Sequence, residues 1–500
     1  MVLPIGRFGG NRQRPDCRAG LRPLWKRKEE DVPSFAPTRR HEDLGRDFFD
    51  PVAPADFPMT RLRHRDLRWA ERLGLGQFTE AEWLSHFGRL DPLPGAFPQP
   101  LALKYHGHQF RSYNPELGDG RGFLLAQCID PVDGRLLDFG TKGSGKTPFS
   151  RGGDGRLTLK GGVREVLATE MLEALGVYTS KSFSLVETGE QLYRGDEPSP
   201  TRSSVLVRLS HSHIRIGSFQ RQAYLDNHAA LANLVDYCIA NYYPGLAGAD
   251  DRAAALLEAV VAEVARLGAQ WIAAGFVHGV LNTDNINITG ESFDYGPWRF
   301  VPTYDPDFTA AYFDETGLYS FGRQPDTLAW NLTRLAECLV PLSSIERLEP
   351  ALNTIWPQFR AQLPAQMLRR LGLKPRSADE DNALVSALFG FLGPSRAPYE
   401  QFFFDWRGGA LSAGRAASSP SADFYASEAF RPVADAMEAY APIDGVNLDH
   451  PYFARAQPRT MLIDEVEAIW APIAERDDWS QFESTLSEIA EMRDAYGITV

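Results

Sequence analysis

Cysteine is scarce in this chain. There are four in 500 residues, Cys17, Cys128, Cys238 and Cys338, far apart, with no CxxC pair and no nearby histidine at zinc spacing. That excludes a disulfide-stapled secreted scaffold and a structural zinc site. Long apolar runs are missing too, and none reaches the roughly 18–20 residues needed to cross a bilayer. Positive charge is not in excess. Lys and Arg total 52 against 65 Asp and Glu, a net of −13, which argues against a surface built to cover nucleic acid or an anionic membrane.

What is present is enough for a large core. Hydrophobic residues make up 43% and aromatics 11%, so global disorder is excluded, and the length favours two lobes over one. With 43 Gly and 35 Pro the chain reads as loop-rich. The first 40 residues depart from the rest, with ten Lys/Arg against four Asp/Glu. They lack the apolar segment of a secretion signal, and the expectation is a disordered basic arm. A cytoplasmic protein is expected, or a mitochondrial one in a eukaryote.

Strand patterns dominate the first half and helical patterns the second. Residues 57–88 read as turn and short helices. Residues 101–105, 123–128 and 136–141 read as strands, the first two flanking the glycine-rich 117-LGDGRG-122. Residues 163–175 place Val163, Val166, Leu167, Met171 and Leu175 near one helical face. Alternation at 183–187 and 205–210 predicts further strands, and 251–274 a long helix. The small residues of 407–422 predict a mobile surface loop. The fold class expected is α+β in two lobes, with an arm over 1–45, a first lobe over 46–225, and a helical second lobe over 226–500 that includes a divergent C-terminal extension.

Residues 140-GTKGSGKT-147 satisfy the P-loop pattern GxxxxGK[ST]. A P-loop needs a helix starting at the GKT to present its amides to phosphate. Here Pro148 follows at once, then Gly152, Gly153 and Gly155, each glycine costing a helix about 1 kcal/mol. A different chemistry fits better. The segment 278-HGVLNTDN-285 has the length and end residues of the kinase catalytic loop HRDLxxxN, and 294-DYG-296 resembles the kinase DFG. Asn285 and Asp294 would then be oxygen ligands to Mg²⁺. The usual catalytic Asp position holds Val280, which cannot accept a proton. Asp284 is the nearest carboxylate able to do so, or else it only caps the loop of an inactive pseudokinase. Lys142 is the candidate phosphate-binding lysine, with Glu165 or Glu170 as its partner. The repeated 118-GDGR-121 and 153-GDGR-156 can bring amides and arginine to phosphate, and Arg208 and Arg215 can add planar bidentate contacts. His106, His108, His211 and His213 lack a third ligand at metal spacing and read as structural.

Together, 107-GHQF-110, 117-LGDGRG-122, 142-KGSGKTPFSRGGDGR-156, 164-RE-165, 211-HSHIRIGSF-219, 275-GFVHGVLNTDN-285, 294-DYGP-297 and 330-WN-331 resemble the selenoprotein O (YdiU-like) family, in family order over roughly residues 50–335. The resemblance implies a bilobal protein-kinase-like fold and transfer of AMP from ATP to Ser, Thr or Tyr hydroxyls of proteins, self-modification included, with the nucleotide flipped relative to kinases. It implies nucleotide contacts at Gly118, Gly120, Arg121, Lys142, Asp154, Gly155, Arg208 and Arg215. It also implies Glu165 as partner of Lys142, Asp284 as proton acceptor, and Asn285 with Asp294 on Mg²⁺ or Mn²⁺. UTP is an alternative donor. A silent nucleotide-binding scaffold and a small-molecule phosphotransferase are the rival readings. Lys146 stands where the family usually has proline, and the last 100 residues match poorly.

Overall fold

The computed structural model describes residues 34–195 and 197–498. Among them nine strands form one sheet in which every paired neighbour is antiparallel. The order is Phe49–Pro51, Leu101–Leu103, Leu124–Ile129, Leu136–Lys142, Thr201–Ser210, Lys181–Leu192, Arg61–Arg65. Pro37–Thr38 adds to Leu124–Ile129, and Leu157–Thr158 to Thr201–Ser210. The α+β expectation holds, and each expected strand is present within a few residues of its predicted bounds. Arg61–Arg65 was not expected. Its sequence, RLRHR, is charged because it is an edge strand, where charge discourages further pairing.

The central strand Leu136–Lys142 is buried along its whole length. Leu136 and Leu124 pack with the helix Leu159–Ala174 on one face of the sheet. Leu137, Phe139 and Leu125 pack with Trp83, Phe87 and Phe183 on the other. A strand covered on both faces reads as a continuous apolar run. Its one buried carboxylate, Asp138, accepts from Gln127 Nε2 (2.7 Å) and His213 N–H (2.9 Å). The helix Leu159–Ala174 starts at Thr158, whose hydroxyl accepts the Gly161 N–H (3.1 Å). It is buried nearly all round because the C-terminal helix Ser480–Ala495 covers its outer side. There Arg493 Nη1 holds Glu170 (2.9 Å) and Glu173 (3.0 Å). The last helices therefore pack on first-half elements, across the boundary drawn at 225/226.

The long helix Arg252–Ala274 is capped by Asp251, which accepts the Ala254 N–H. It ends at Gly275 with φ +66, where a side chain would run into Tyr399. The short pair Phe276–Val277 and Arg299–Phe300 follows and sets out the loop 278–285 beneath the sheet.

Two expectations are corrected. Residues 407–422 are not a mobile loop: they form Gly409–Ser412 and the short helices Ala413–Ala417 and Ala422–Tyr425. Small side chains allow close packing there, and Arg407, 3% exposed, donates to the carbonyls of Arg369 (2.9 Å), Arg370 (3.0 Å) and Tyr496 (3.1 Å). The segment is at the surface as expected, with Leu411 69% exposed, but it is built of short helices rather than loop. The last part of the arm expected over 1–45 is structured. Residues 1–33 lie outside the described residues, but Pro37–Thr38 pair with Gln127 and Cys128, and His41 and Leu44 are buried. Deletion through residue 45 should lower the urea midpoint below that of a chain lacking 1–33 alone, since Leu44 burial alone is worth about 1.5–3 kcal/mol. Equal midpoints for the two truncations would contradict the packing of 37–45.

Candidate active site

Where the strands Leu136–Lys142 and Thr201–Ser210 meet the loop 278–285 and Asp294, a cavity of about 590 Å³ opens. All the singled-out residues except Glu165 line it: Gly118, Gly120, Arg121, Lys142, Asp154, Gly155, Arg208, Arg215, Asp284, Asn285 and Asp294. Glu165 lies just behind, bonded through Oε1 to Lys142 Nζ. Glu170, the alternative partner, is held instead by Arg493.

Lys142 ends its strand with Nζ turned to Asp294 Oδ1 (2.8 Å), and Arg208 Nη1 reaches the same oxygen (3.1 Å). Asp294 has φ +63, a left-handed conformation costly for an aspartate. The Lys142 and Arg208 contacts hold it there. Although burial works the other way, Lys142, Arg208 and Arg215 keep its carboxyl well below the usual range, so it is ionised. Arg215 is itself fixed by Asp119 (2.9 Å) and lies over the Tyr105 ring at 4.2 Å.

The loop 278–285 is tied down at both ends. His278 Nε2 donates to the Phe293 carbonyl (3.0 Å), next to Asp294, and its N–H goes to Gln324 Oε1 (3.0 Å). Thr283 Oγ1 accepts the His108 N–H (2.7 Å) and donates to Gln220 (2.6 Å). Between these anchors, Asp284 Oδ1 is buried with no hydrogen-bond partner. A Cβ on Gly107 would lie 2.7 Å from that oxygen, so glycine at 107 makes room for the carboxylate. Burial pushes the Asp284 carboxyl up to about 7; Arg215 and Arg151 oppose the shift and Asp294 adds to it. A carboxyl near neutrality is suited to taking a proton at physiological pH.

A divalent cation can be tested against the donors present. Asn285 gives its amide Nδ2 to the Val280 carbonyl (3.0 Å), which leaves its Oδ1 as an oxygen donor in the cavity wall. Asp294 offers a second, ionised one. Among the described residues no group of three or more His, Cys, Asp or Glu could hold a metal by itself. Two protein oxygens with phosphate and water completing the shell is the arrangement Mg²⁺ favours, so the donor set fits.

The glycine-rich segments act through close approach. Gly118 packs against the Phe149 ring, and Gly155, at φ +71, sits where a side chain would collide with the Gly145 carbonyl. Asp154 does not present a free carboxylate. Arg194 takes both of its oxygens (2.7 and 3.1 Å) and the Arg156 N–H one (3.0 Å), so it positions Arg194 at the cavity rim. Sequence reasoning missed Arg194, Arg151, Asp119 and Gly107. Asp119 lay inside a Gly-Asp-Gly read as a turn, while Arg194 reaches the site from 40 residues beyond Asp154 with no local pattern to mark it. The histidine rings are engaged within the fold: His106 bonds Tyr113 (2.8 Å), His108 bonds Gln220 (2.7 Å), His211 bonds Tyr178 (2.7 Å) and His213 Nδ1 faces Asp138 Oδ2 (3.4 Å).

The P-loop match is a decoy. No helix starts at the GKT, and Lys146 is exposed in an irregular segment while Lys142 is buried. Lys146→Ala should change ATP affinity by less than about twofold, whereas Lys142→Ala, which removes a charge-assisted contact worth about 1.5–3 kcal/mol, should weaken it about tenfold or more. Titration calorimetry decides; loss confined to the Lys146 variant would revive the P-loop.

The family profile described as protein adenylyltransferase SelO matches residues 34–490. The match therefore extends well into the last 100 residues, beyond the region where the resemblance was legible. The chain is 45% identical over 467 residues to the protein nucleotidyltransferase YdiU of Synechocystis sp., covering 90% of this chain and 96% of that one. It is 45% identical over 463 residues to that of Gloeobacter violaceus, covering 90% and 92%, and 38% identical over 465 residues to that of a Bradyrhizobium species, covering 89% and 91%. With the kinase-like constellation of Lys142, Glu165, Asn285 and Asp294 in place and the usual catalytic aspartate replaced by Val280, the chain belongs to the SelO family of protein adenylyltransferases.

Proposed function

We propose that this protein transfers AMP from ATP to Ser, Thr or Tyr hydroxyls of proteins, itself included, and releases pyrophosphate. The observation that carries the reading is Asp284. It is a carboxylate with a buried, partnerless oxygen, set beside the candidate metal ligands and facing a cavity lined with cations. A nucleotide-binding scaffold has no use for such a group, and an unpartnered buried carboxylate oxygen lowers stability.

In this reading Asp284 takes the acceptor proton as the acceptor oxygen bonds to the α-phosphorus. The bond from that phosphorus to the bridging oxygen breaks, and pyrophosphate carries the electrons away. The α-phosphate must then face Asp284, with the β- and γ-phosphates turned to Lys142, Arg121, Arg208 and Arg215. Those side chains are already placed before charge builds, so they need not reorganise in the transition state. Asn285 and Asp294 would hold Mg²⁺, or Mn²⁺ in its place, and that ion would supply charge neutralisation at the phosphates. Glu165 keeps Lys142 oriented. The cavity lining does not discriminate ATP from UTP, and both are donors to test.

The experiment is to supply ATP labelled on the α- or the γ-phosphate with Mg²⁺ and follow label into protein. Label from α alone is the expected result. Label from γ would make the protein a kinase, and absence of both would leave a binding scaffold.

A further inference from the structure

The strands Leu136–Lys142 and Thr201–Ser210 deliver Lys142 and Arg208 to the nucleotide cavity, and their other ends line a second cavity, of about 390 Å³, between the sheet and the helices Arg252–Ala274 and Ile355–Leu371. No step of AMP transfer uses it. Two of its charged groups, Arg369 and Glu291, have no ion-pair partner among the described residues. Arg72 and Arg135 are engaged by Asp133 (2.8 and 2.9 Å), Lys181 by Glu173 (3.0 Å) and Arg266 by Glu263. Arg369 has no carboxylate partner among the described residues. Its Nη2 donates to the Gly176 carbonyl, its Nε is buried without a partner, and Nη1 makes no hydrogen bond.

A largely buried guanidinium without a counter-charge is costly. Burial, together with Arg370, Arg266 and Arg407, pulls Arg369 down to about 10. The backbone is nevertheless built around it: at Gly176, φ +76, a side chain would collide with the guanidinium. The neighbouring groups on the wall are further donors. Gln270 Oε1 accepts the Tyr178 N–H (3.0 Å), leaving its NH₂. Ser210 Oγ is buried without a partner. Arg266 lies over the Tyr178 ring at 5.0 Å. The opposing carboxyl, Glu291, accepts the His211 N–H (2.8 Å).

We propose that this cavity is a second ligand site, in which Arg369 and Arg266 bind the phosphate group of a small anion, with the Gln270 amide and the Ser210 hydroxyl completing the donor set. Arg266 gives Nε and Nη2 to Glu263, so it offers Nη1 as a charge-assisted donor beside Arg369 Nη1. The chemistry fits free phosphate or a phosphate monoester, and the test separates them.

Inorganic phosphate and ribose 5-phosphate are titrated calorimetrically into the full-length protein and into Arg369→Gln, Arg369→Lys, Arg266→Gln and Arg208→Gln. At least one probe should bind, about tenfold or more weaker in Arg369→Gln and Arg266→Gln, with partial recovery in Arg369→Lys, which keeps the charge but not the fork. Arg208→Gln, altered only at the nucleotide cavity, should bind as the parent does. Tighter binding of the ester marks a phosphorylated metabolite as the ligand, and equal binding marks free phosphate. If Arg369→Gln fails to fold, Arg266→Gln carries the test, its side chain being 28% exposed. No binding of either probe to the parent, undiminished binding by the Arg369 and Arg266 variants, or loss in Arg208→Gln alone would each overturn the site.

Discussion

Asp284→Ala should bind Mg²⁺-ATP with the parent's affinity and transfer AMP about 10²–10⁴-fold more slowly, the range typical of a lost general base. The two effects separate because of where the carboxylate stands. Lys142, Arg208 and Arg215, the cations proposed to face the phosphates, are organised by Glu165, Asp294 and Asp119, and none of them bonds to Asp284. Its Oδ1 has no partner to lose, so removal leaves no orphaned donor behind, and stability should not fall. Steady-state transfer from α-labelled ATP, calorimetry of ATP binding and a urea melt report the three quantities. Near-parental transfer would remove Asp284 as the base. Lost ATP affinity at unchanged stability would make it a binding residue instead.

The sequence carried much of this site because its parts are local. The loop 278–285 and the turn at 294 each hold their chemistry within a few residues, and Lys142 sits at the end of an apolar strand that periodicity finds. Contacts spanning the chain were not legible. Arg194 reaches Asp154, Arg215 reaches Asp119, and Arg493 reaches Glu170 from 323 residues away, and no periodicity encodes such pairings. The choice between Glu165 and Glu170 shows the difference. Both lie on one helix and both are buried. Only the return of the C-terminal helix, with Arg493 on Glu170, shows why Glu165 is the one left to Lys142. The segment 407–422 failed for a related reason: small residues describe a surface loop or short surface helices equally well, and the aromatic residues that anchor the helices, Phe404, Tyr425 and Phe453, are beside it in the fold. Arg415 lies 4.8 Å from the Phe453 ring, a contact that a count of small residues cannot reveal.

Asp294→Ala should abolish transfer for a different reason and with a different signature. Asp294 is the carboxylate shared by Lys142 (2.8 Å) and Arg208 (3.1 Å), and it is the ionised one of the two proposed metal ligands, Asn285 being neutral. Removing it deletes the charged donor to the cation and leaves Arg208 without its ion-pair partner, while Lys142 keeps Glu165. The Asp294 side chain is 27% exposed, so removing it costs less than the about 3–5 kcal/mol of a fully buried pair, but this variant should still melt earlier, unlike Asp284→Ala. Asp294→Asn keeps the shape and a carbonyl oxygen for Arg208, and should recover part of that stability without recovering activity. Nucleotide binding gives the sharper reading. With Arg208 released toward the phosphates and Lys142 still held by Glu165, ATP should still bind in the absence of divalent metal, but Mg²⁺ or Mn²⁺ should no longer tighten it. The measurement is ATP affinity for the parent and both Asp294 variants with metal and with chelator, beside transfer from the α-label. A metal-dependent gain in affinity equal to the parent's in Asp294→Asn would take the ligand role away from Asp294. It would leave that residue as the ion-pair partner that holds Lys142 and Arg208 in place.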